Sequence, residues 1–403
     1  HRLAPGHGGG PAGWRGVLSD PGEPTDGERR SADPSPDRPQ SDLVRRREAI
    51  RRLGTGGLTV FGAGLVGAIS GHETASAYVG QDDDGGEVGH YQEGGRMSAE
   101  LPVGAAAGPY GGDYAPPEEL TADALDHLTF PPPPTPSSRS RTIDVEMGVV
   151  EAEHAISRTQ TITAWSYTVG DGASSPGPIL RANEGDLLRI RFSNRTAEDH
   201  NLHFHGRHSP IHDGWEPVPP GGETVYEIEA GPAGIHPYHC HTVPIDRHIA
   251  KGLYGTLIVD GAPSGSGDRS PDRAPDEALE VVLALSGWDP DQDGHNDFYT
   301  WNGVAGFFDK YPIKVEVGRK VRVHLFNMVE FDPLVSFHLH AEMFDVYPTG
   351  MGRHPALTSD IISLGPMDRA TLEFTLPERG RYLFHPHQHW MAARGAMGWF
   401  AAI

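Results

Sequence analysis

Residues 178–260 and 312–403 read as two copies of one module, and a chain built that way has few folds open to it. Pro178-Ile179 leads to Gly185 and then to Arg189-Ile190-Arg191-Phe192-Ser193-Asn194. Pro312-Ile313 leads likewise to Gly318 and then to Arg322-Val323-His324-Leu325-Phe326-Asn327. Each glycine precedes its asparagine by the same interval. Pro220 and Pro366 stand equally far before His239 and His385, and so do Gly234 and Gly380. Intervals kept over so long a stretch argue for duplication. Residues 187–192 and 321–325 alternate apolar with polar side chains, the period of a half-buried strand. Short strands broken by Gly/Pro turns, with no long amphipathic helix, predict an all-β chain of two sandwiches.

The modules carry eight histidines as four His-x-His pairs: His203/His205, His239/His241, His338/His340 and His385/His387. On a strand, residues i and i+2 share a face, so each pair offers two imidazoles side by side. Four such pairs point to metal, because imidazole is the commonest neutral ligand for copper, zinc, iron and nickel. The single cysteine, Cys240, lies inside one pair as His239-Cys240-His241. Alternation sends its sulfur to one face and both imidazoles to the other, so two metal sites can share three residues. His200 has the opposite strand parity from His203, and His248 follows Cys240. His200, Cys240 and His248 make the two-histidine, one-thiolate set of a blue copper site, with Leu253 in the weak axial position. An aliphatic side chain there predicts a higher potential than a thioether would give.

The copies differ where it matters. Val335 stands in the second where His200 stands in the first, Pro386 replaces Cys240, and Ala396 falls near the place of Leu253. The second module keeps its histidine pairs and lacks every residue of the thiolate site.

At these residues the chain resembles the two-domain multicopper oxidases that carry blue copper in the first domain. The stretch Ile235-His236-Pro237-Tyr238-His239-Cys240-His241 fits, as does the run from His248 to Gly252-Leu253-Tyr254-Gly255. So do Ser336-Phe337-His338-Leu339-His340 and Phe384-His385-Pro386-His387-Gln388. The likeness covers roughly residues 140–403. It implies two cupredoxin-type Greek-key domains in a homotrimer, with a trinuclear copper cluster between the first domain of one subunit and the second domain of the next. Four coppers per chain are implied, one type 1, one type 2 and two type 3. By the same resemblance His203 and His338 bind the type 2 copper, and His205, His239, His241, His340, His385 and His387 bind the type 3 pair. The resemblance further implies that electrons from a small-molecule reductant (phenols, aromatic amines or cuprous ion) pass through Cys240 and that dioxygen is reduced to water. Asp213 matches an acid that helps deliver protons, although Asp-Gly is also a turn signature. Copper nitrite reductases share the architecture, but their pattern has an acid at the place of His203 and a small residue at that of His241. A blue-copper electron carrier would need only His200, Cys240 and His248 and would leave eight paired histidines idle.

Other residues near these motifs read as polar loop groups, namely His208, His212 and His236, and His389 reads as a neighbour of the pairs without a repeat counterpart. The run from Asp289 through Asp291 and Asp293 to Gly294 resembles the start of a calcium loop. Thr300 stands where such a loop needs a bidentate Glu, so a solvated acidic turn competes with calcium.

The front of the chain has a different composition. Residues 1–44 are rich in Gly, Pro, Asp and Arg, which reads as disorder. Arg45-Arg46-Arg47 before a weakly apolar run at 53–69, with Ala75-Ser76-Ala77 beyond, is the layout of a twin-arginine signal. The expected organisation is therefore a leader and signal over 1–77, a Gly/Pro-rich acidic arm over 78–138, a first domain over 139–262, a linker over 263–277 and a second domain over 278–403. Export to the cell envelope or beyond follows, without stable membrane insertion. The sequence leaves open whether residues 53–70 anchor the chain, and whether the arm is flexible or wraps a neighbouring subunit. A formal net charge of −22 disfavours nucleic acid and favours cationic reductants. One cysteine excludes an intrachain disulfide framework.

Overall fold

The computed structural model describes residues 113–403, apart from residues 136, 138, 171, 262–277 and 353. The expected leader, signal and linker lie outside the described residues. The first half contains β1 (Thr142–Ala155), β2 (Thr161–Val169), β3 (Gly172–Ser174), β4 (Ile179–Asn183), β5 (Leu187–Asn194), β6 (His203–Phe204), β7 (Glu223–Glu229), β8 (Gly234–His239) and β9 (Tyr254–Asp260). The second contains β10 (Leu279–Trp288), β11 (Phe298–Trp301), β12 (Ile313–Val315), β13 (Lys320–Met328), β14 (Val335–Leu339) and β15 (Phe344–Pro348). It continues with β16 (Leu357–Ser359), β17 (Ile361–Leu364), β18 (Arg369–Thr375), β19 (Gly380–His385) and β20 (Gly398–Ala402). Each half is a two-sheet sandwich, ordered β3-β2-β1-β5-β7 over β4-β9-β8-β6, and β11-β10-β13-β18-β15-β16 over β12-β20-β19-β14-β17. The fold is all-β and cupredoxin-type.

Period-two patterning explains the packing. In β9, Leu257 and Val259 enter the first sandwich core, while Tyr254 and Ile258 face the opposite way. In β10 and β13, Val281, Leu283, Val321, Val323 and Leu325 fill the second core. Their neighbours Val282, Ala284, Phe326 and Met328 meet Ile179, Ile235, Tyr254 and Ile258 across the contact between halves. Alternation thus marks two buried faces here, not one buried and one wet.

The expectation of half-burial at residues 321–325 is corrected accordingly. Arg322 and His324 lie on the face turned to the first sandwich and are 5% exposed each. Buried charge there is tolerated because it is paired. Arg181 on β4 holds Asp260 at 2.7 Å and Glu280 at 2.6 Å, and Arg322 holds Glu373 at 2.8 Å and Glu280 at 3.3 Å. Burial alone would raise the Glu280 carboxyl, but hydrogen bonding from His324 and the charge of Arg181 hold it far below the ordinary carboxylate range. Arg181→Leu strands Asp260 and much of Glu280, so unfolding free energy should drop by about 3 kcal/mol. Chemical denaturation monitored by tryptophan emission reads this directly.

The described end of the acidic arm lies on its own chain. Leu125 and Leu128 enter the second core, and Asn302 donates from Nδ2 to the Leu128 carbonyl at 3.1 Å. Farther along, the carbonyls of Pro132 and Thr135 accept hydrogen bonds from Arg181 and Asn183 of the first half. Residues 113–135 therefore strap both sandwiches. Among the described residues no helix is long and apolar enough to cross a membrane.

Candidate metal centres

Three histidine-rich groups emerge from this frame. The first is buried in the first sandwich. His200 is fixed by a bridge to Val218, and Cys240 extends the ladder of β8 by donating its N–H to the Leu253 carbonyl at 3.1 Å. His248 comes from the short helix Ile245–Ala250. The Nδ1 atoms of His200 and His248 approach to 3.1 Å, and Cys240 Sγ lies 3.8 Å and 3.3 Å from them. His200, Cys240 and Leu253 are fully buried and His248 is 2% exposed. Three soft or borderline donors thus converge in a dry pocket, which fits a trigonal copper site. Burial holds the imidazoles neutral, His200 at about 3 and His248 at about 4, and pushes the Cys240 thiol up.

The second group is His203, His205, His239 and His241. β6 and β8 pair with His203 opposite His239, and β14 and β19 pair with His338 opposite His385. The third group, His338, His340, His385 and His387, thus repeats the second. Imidazole orientation is also repeated. His203 Nδ1 donates to the Asp213 carbonyl and His239 Nδ1 to that of Cys240, both at 2.8 Å. His338 Nδ1 donates to the Asp360 carbonyl at 2.8 Å and His385 Nδ1 to that of Pro386 at 2.7 Å. Each bond fixes a tautomer that leaves Nε2 free to ligate. His205 and His239 then bring their Nε2 atoms to 3.0 Å, as do His340 and His385. Nitrogens of His203, His205 and His239 converge, as do those of His338, His340 and His385. His241 and His387 stand beside these trios, with rings 5.2 Å from His203 and 5.4 Å from His338. Their backbone N–H groups are held by Asn201 Oδ1 and Ser336 Oγ.

The face assignment made from alternation holds. Cys240 points into the buried pocket, while His239 and His241 join the other group. Among the described residues, no ring contact links the His203 quartet to the His338 quartet. His340 and His387 are exposed, so the second quartet opens on the surface.

Asp213 is both turn and neighbour. It caps the short helix Pro210–His212, and its Oδ1 lies 3.3 Å from His203 Nδ1 and from His208 Nε2. Gly214 allows this approach. Its φ is +78°, and a Cβ would collide with the Leu202 carbonyl oxygen. His208, read from sequence as a loop group, touches Asp213. His236 is buried with both ring nitrogens facing carbonyls, of His205 and Pro232. His212 is half-buried beside Asp213. His389 is exposed, its ring 5.5 Å from His387. Asp289 uses its carboxylate to accept from the N–H groups of Asp293 and Gly294. Thr300 is buried and accepts from Trp288 Nε1, so it is turned away from that loop.

Sequence reasoning missed Trp165, which packs its ring 4.7 Å from both His200 and His248. No spacing rule ties a residue on β2 to these imidazoles.

Burial keeps His205 at about 3 and His239 and His385 at about 4. An unfolded chain protonates these groups near pH 6.5, so below that pH it binds more protons than the folded one. Stability of the metal-free protein should therefore fall as pH drops from about 6.5 towards 4. Thermal unfolding of chelator-treated protein against pH tests this.

Fold and donor sets together define a two-domain β protein with one thiolate pocket and two histidine quartets. Two family models, each for a multicopper oxidase, match residues 153–264 and 284–402. A crystal structure of a multicopper oxidase is 37% identical over 65% of this chain and 89% of its own, with a TM-score of 0.59. The chain belongs to the multicopper oxidase family. It is also 26% identical to the copper-containing nitrite reductase of Neisseria meningitidis serogroup B, over 68% of this chain and 73% of that one. It matches a probable nitrite reductase-hydroxylamine oxidoreductase fusion protein of Kuenenia stuttgartiensis at 26% identity over 59% of this chain, spanning only 28% of that protein's length.

Proposed function

We propose that this protein is a laccase-like oxidase, coupling one-electron oxidation of a small reductant to four-electron reduction of dioxygen. The observation that carries the reading is the pair of matching, complete quartets. A single type 2 copper has no use for them all, and among the described residues no ring contact joins them within one chain. Bound copper would supply one-electron chemistry at Cys240 and dioxygen reduction at the quartets. The chain's own part is wiring and proton handling. His239-Cys240-His241 gives a short covalent path from the thiolate pocket to the first quartet. Asp213 places a carboxylate between His203 and His208, where it can hold and pass a proton.

Head-to-tail assembly, a homotrimer as in the resembled class, would complete the cluster. Exposed apolar groups beside each quartet support this. Ile211, Trp215 and Val243 flank the first, and Met343, Ile361 and Trp390 flank the second. Trp215 packs its ring 5.1 Å from His241. Such groups mark surfaces meant to be covered.

Nitrite reduction is the second reading, favoured by the Neisseria relative. Copper content separates the two. About four coppers per chain after removal of loose metal support the oxidase, about two the reductase, and about one a simple electron carrier. Oxygen uptake with a phenol, against nitrite consumption, completes the test.

A further inference from the structure

We propose that the Glu198–Arg247 ion pair, seated on Trp165, is a positioning and tuning device for the His200–Cys240–His248 pocket. The inference rests on reading that pocket as the blue copper site. Glu198 lies two residues before His200, and Arg247 immediately precedes His248. Their side chains meet in a two-pronged pair, Nη1 to Oε2 at 2.8 Å and Nη2 to Oε1 at 2.9 Å. The pair therefore ties together the two segments that deliver the two imidazoles.

Both ends are anchored. The Glu198 carbonyl accepts from Asn194 Nδ2 at 2.7 Å at the end of β5, and the Arg247 carbonyl accepts from Lys251 N at 3.0 Å. Below the pair lies Trp165, 1% exposed, in contact with both imidazoles. The Arg247 guanidinium carbon stands 4.9 Å from the indole ring, and Lys251 Nζ stands 4.4 Å from it. One indole thus separates these charges from the pocket.

Stability does not account for the arrangement. The Arg247 and Glu198 side chains are 35% and 42% exposed, and a pair that open contributes little to stability. Their field acts on a buried, poorly screened site, where a charge counts for more. The two partners carry opposite charges, Arg247 next to His248 in the chain and Glu198 two residues before His200. Paired, their charges oppose each other at the pocket. Alone, either leaves a net charge beside the pocket.

The test is spectroelectrochemical titration of the blue absorption in copper-loaded protein. Glu198→Gln leaves Arg247 uncompensated, which favours the reduced site and should raise the potential. Arg247→Gln leaves Glu198 and should lower it. Each shift should change the reduced-to-oxidised ratio, poised at the wild-type midpoint, by roughly threefold or more. The exchanged double variant Glu198→Arg with Arg247→Glu should return towards wild type. A purely structural clamp predicts shifts of the same sign from both single variants. Same-sign shifts, or none, with the blue band intact would overturn the proposal. If Arg247→Gln does not load copper, Lys251→Met replaces it, and an unchanged or raised potential would count equally against the idea. Absence of any blue band in wild-type protein would instead overturn the copper reading beneath it.

Discussion

Cys240→Ser is expected to abolish the intense visible absorption of the copper-loaded protein and to stop oxidase turnover. Much of the remaining copper should stay bound. In the proposed wiring the thiolate is the one soft donor of its pocket and the start of the path through His239 and His241. A serine hydroxyl keeps the size but neither the soft donor nor the low-energy charge transfer. Loss of an outer hydrogen-bond partner at a metal site costs roughly 10- to 100-fold in affinity or activity, and loss of this ligand should cost more. The quartets are held by bonds to the carbonyls of Asp213, Cys240, Asp360 and Pro386, and only backbone at position 240 takes part. Their metal should therefore survive. Visible spectra, copper analysis and oxygen uptake read the three effects together. Full activity in this variant would remove Cys240 from the route.

The second large effect follows from the proposed assembly, in which the first quartet of one subunit meets the second quartet of another. His203→Ala and His338→Ala should each be inactive alone, since each spoils one half of every cluster. Co-expressed in equal amounts, they should recover roughly a quarter of wild-type activity. That is the share of contacts in a random mixture joining an intact first quartet to an intact second one. Recovery requires assembly between chains. Zero recovery from mixed oligomers of confirmed composition would mean that the quartets are completed some other way. Trp215→Arg offers a companion measurement, because a charge on this exposed indole beside His241 should weaken assembly.

Much of the site was legible because it is written in local period. Strand alternation alone placed Cys240 opposite His239 and His241. The repeat placed a His-x-His pair at matching points of both modules, and the strand registers then put His338 opposite His385 as His203 stands opposite His239. The difference between copies at Val335 and Pro386 confined the thiolate pocket to the first half. Asp213 was readable only as a choice between turn and proton carrier. The turn puts its carboxylate against His203, so the two readings describe one geometry.

What stayed hidden depends on contacts between distant segments. Arg322 and His324 read as solvent-facing because the pattern cannot distinguish water from a second domain on the outer face of a strand. The acidic arm was legible only as either flexible or wrapping a neighbouring subunit. Leu125 and Leu128 find an apolar surface that exists only once β10 and β13 have paired. Glu198 and Arg247 are ordinary surface charges in sequence, and Trp165 is an ordinary core aromatic. Chain folding around the pocket brings them together.

The sequence by itself determined the duplicated β architecture, the set of candidate ligands and the strand face of Cys240 relative to His239 and His241, because side-chain alternation is a local, steric property of the backbone. Tertiary structure alone decided that no ring contact joins the two quartets among the described residues, that a paired charge sits across Trp165 from the thiolate pocket, and that the outer sheet faces of the two halves bury each other. Those outcomes depend on which surfaces meet, and meeting is a property of packed, distant segments that no local pattern encodes.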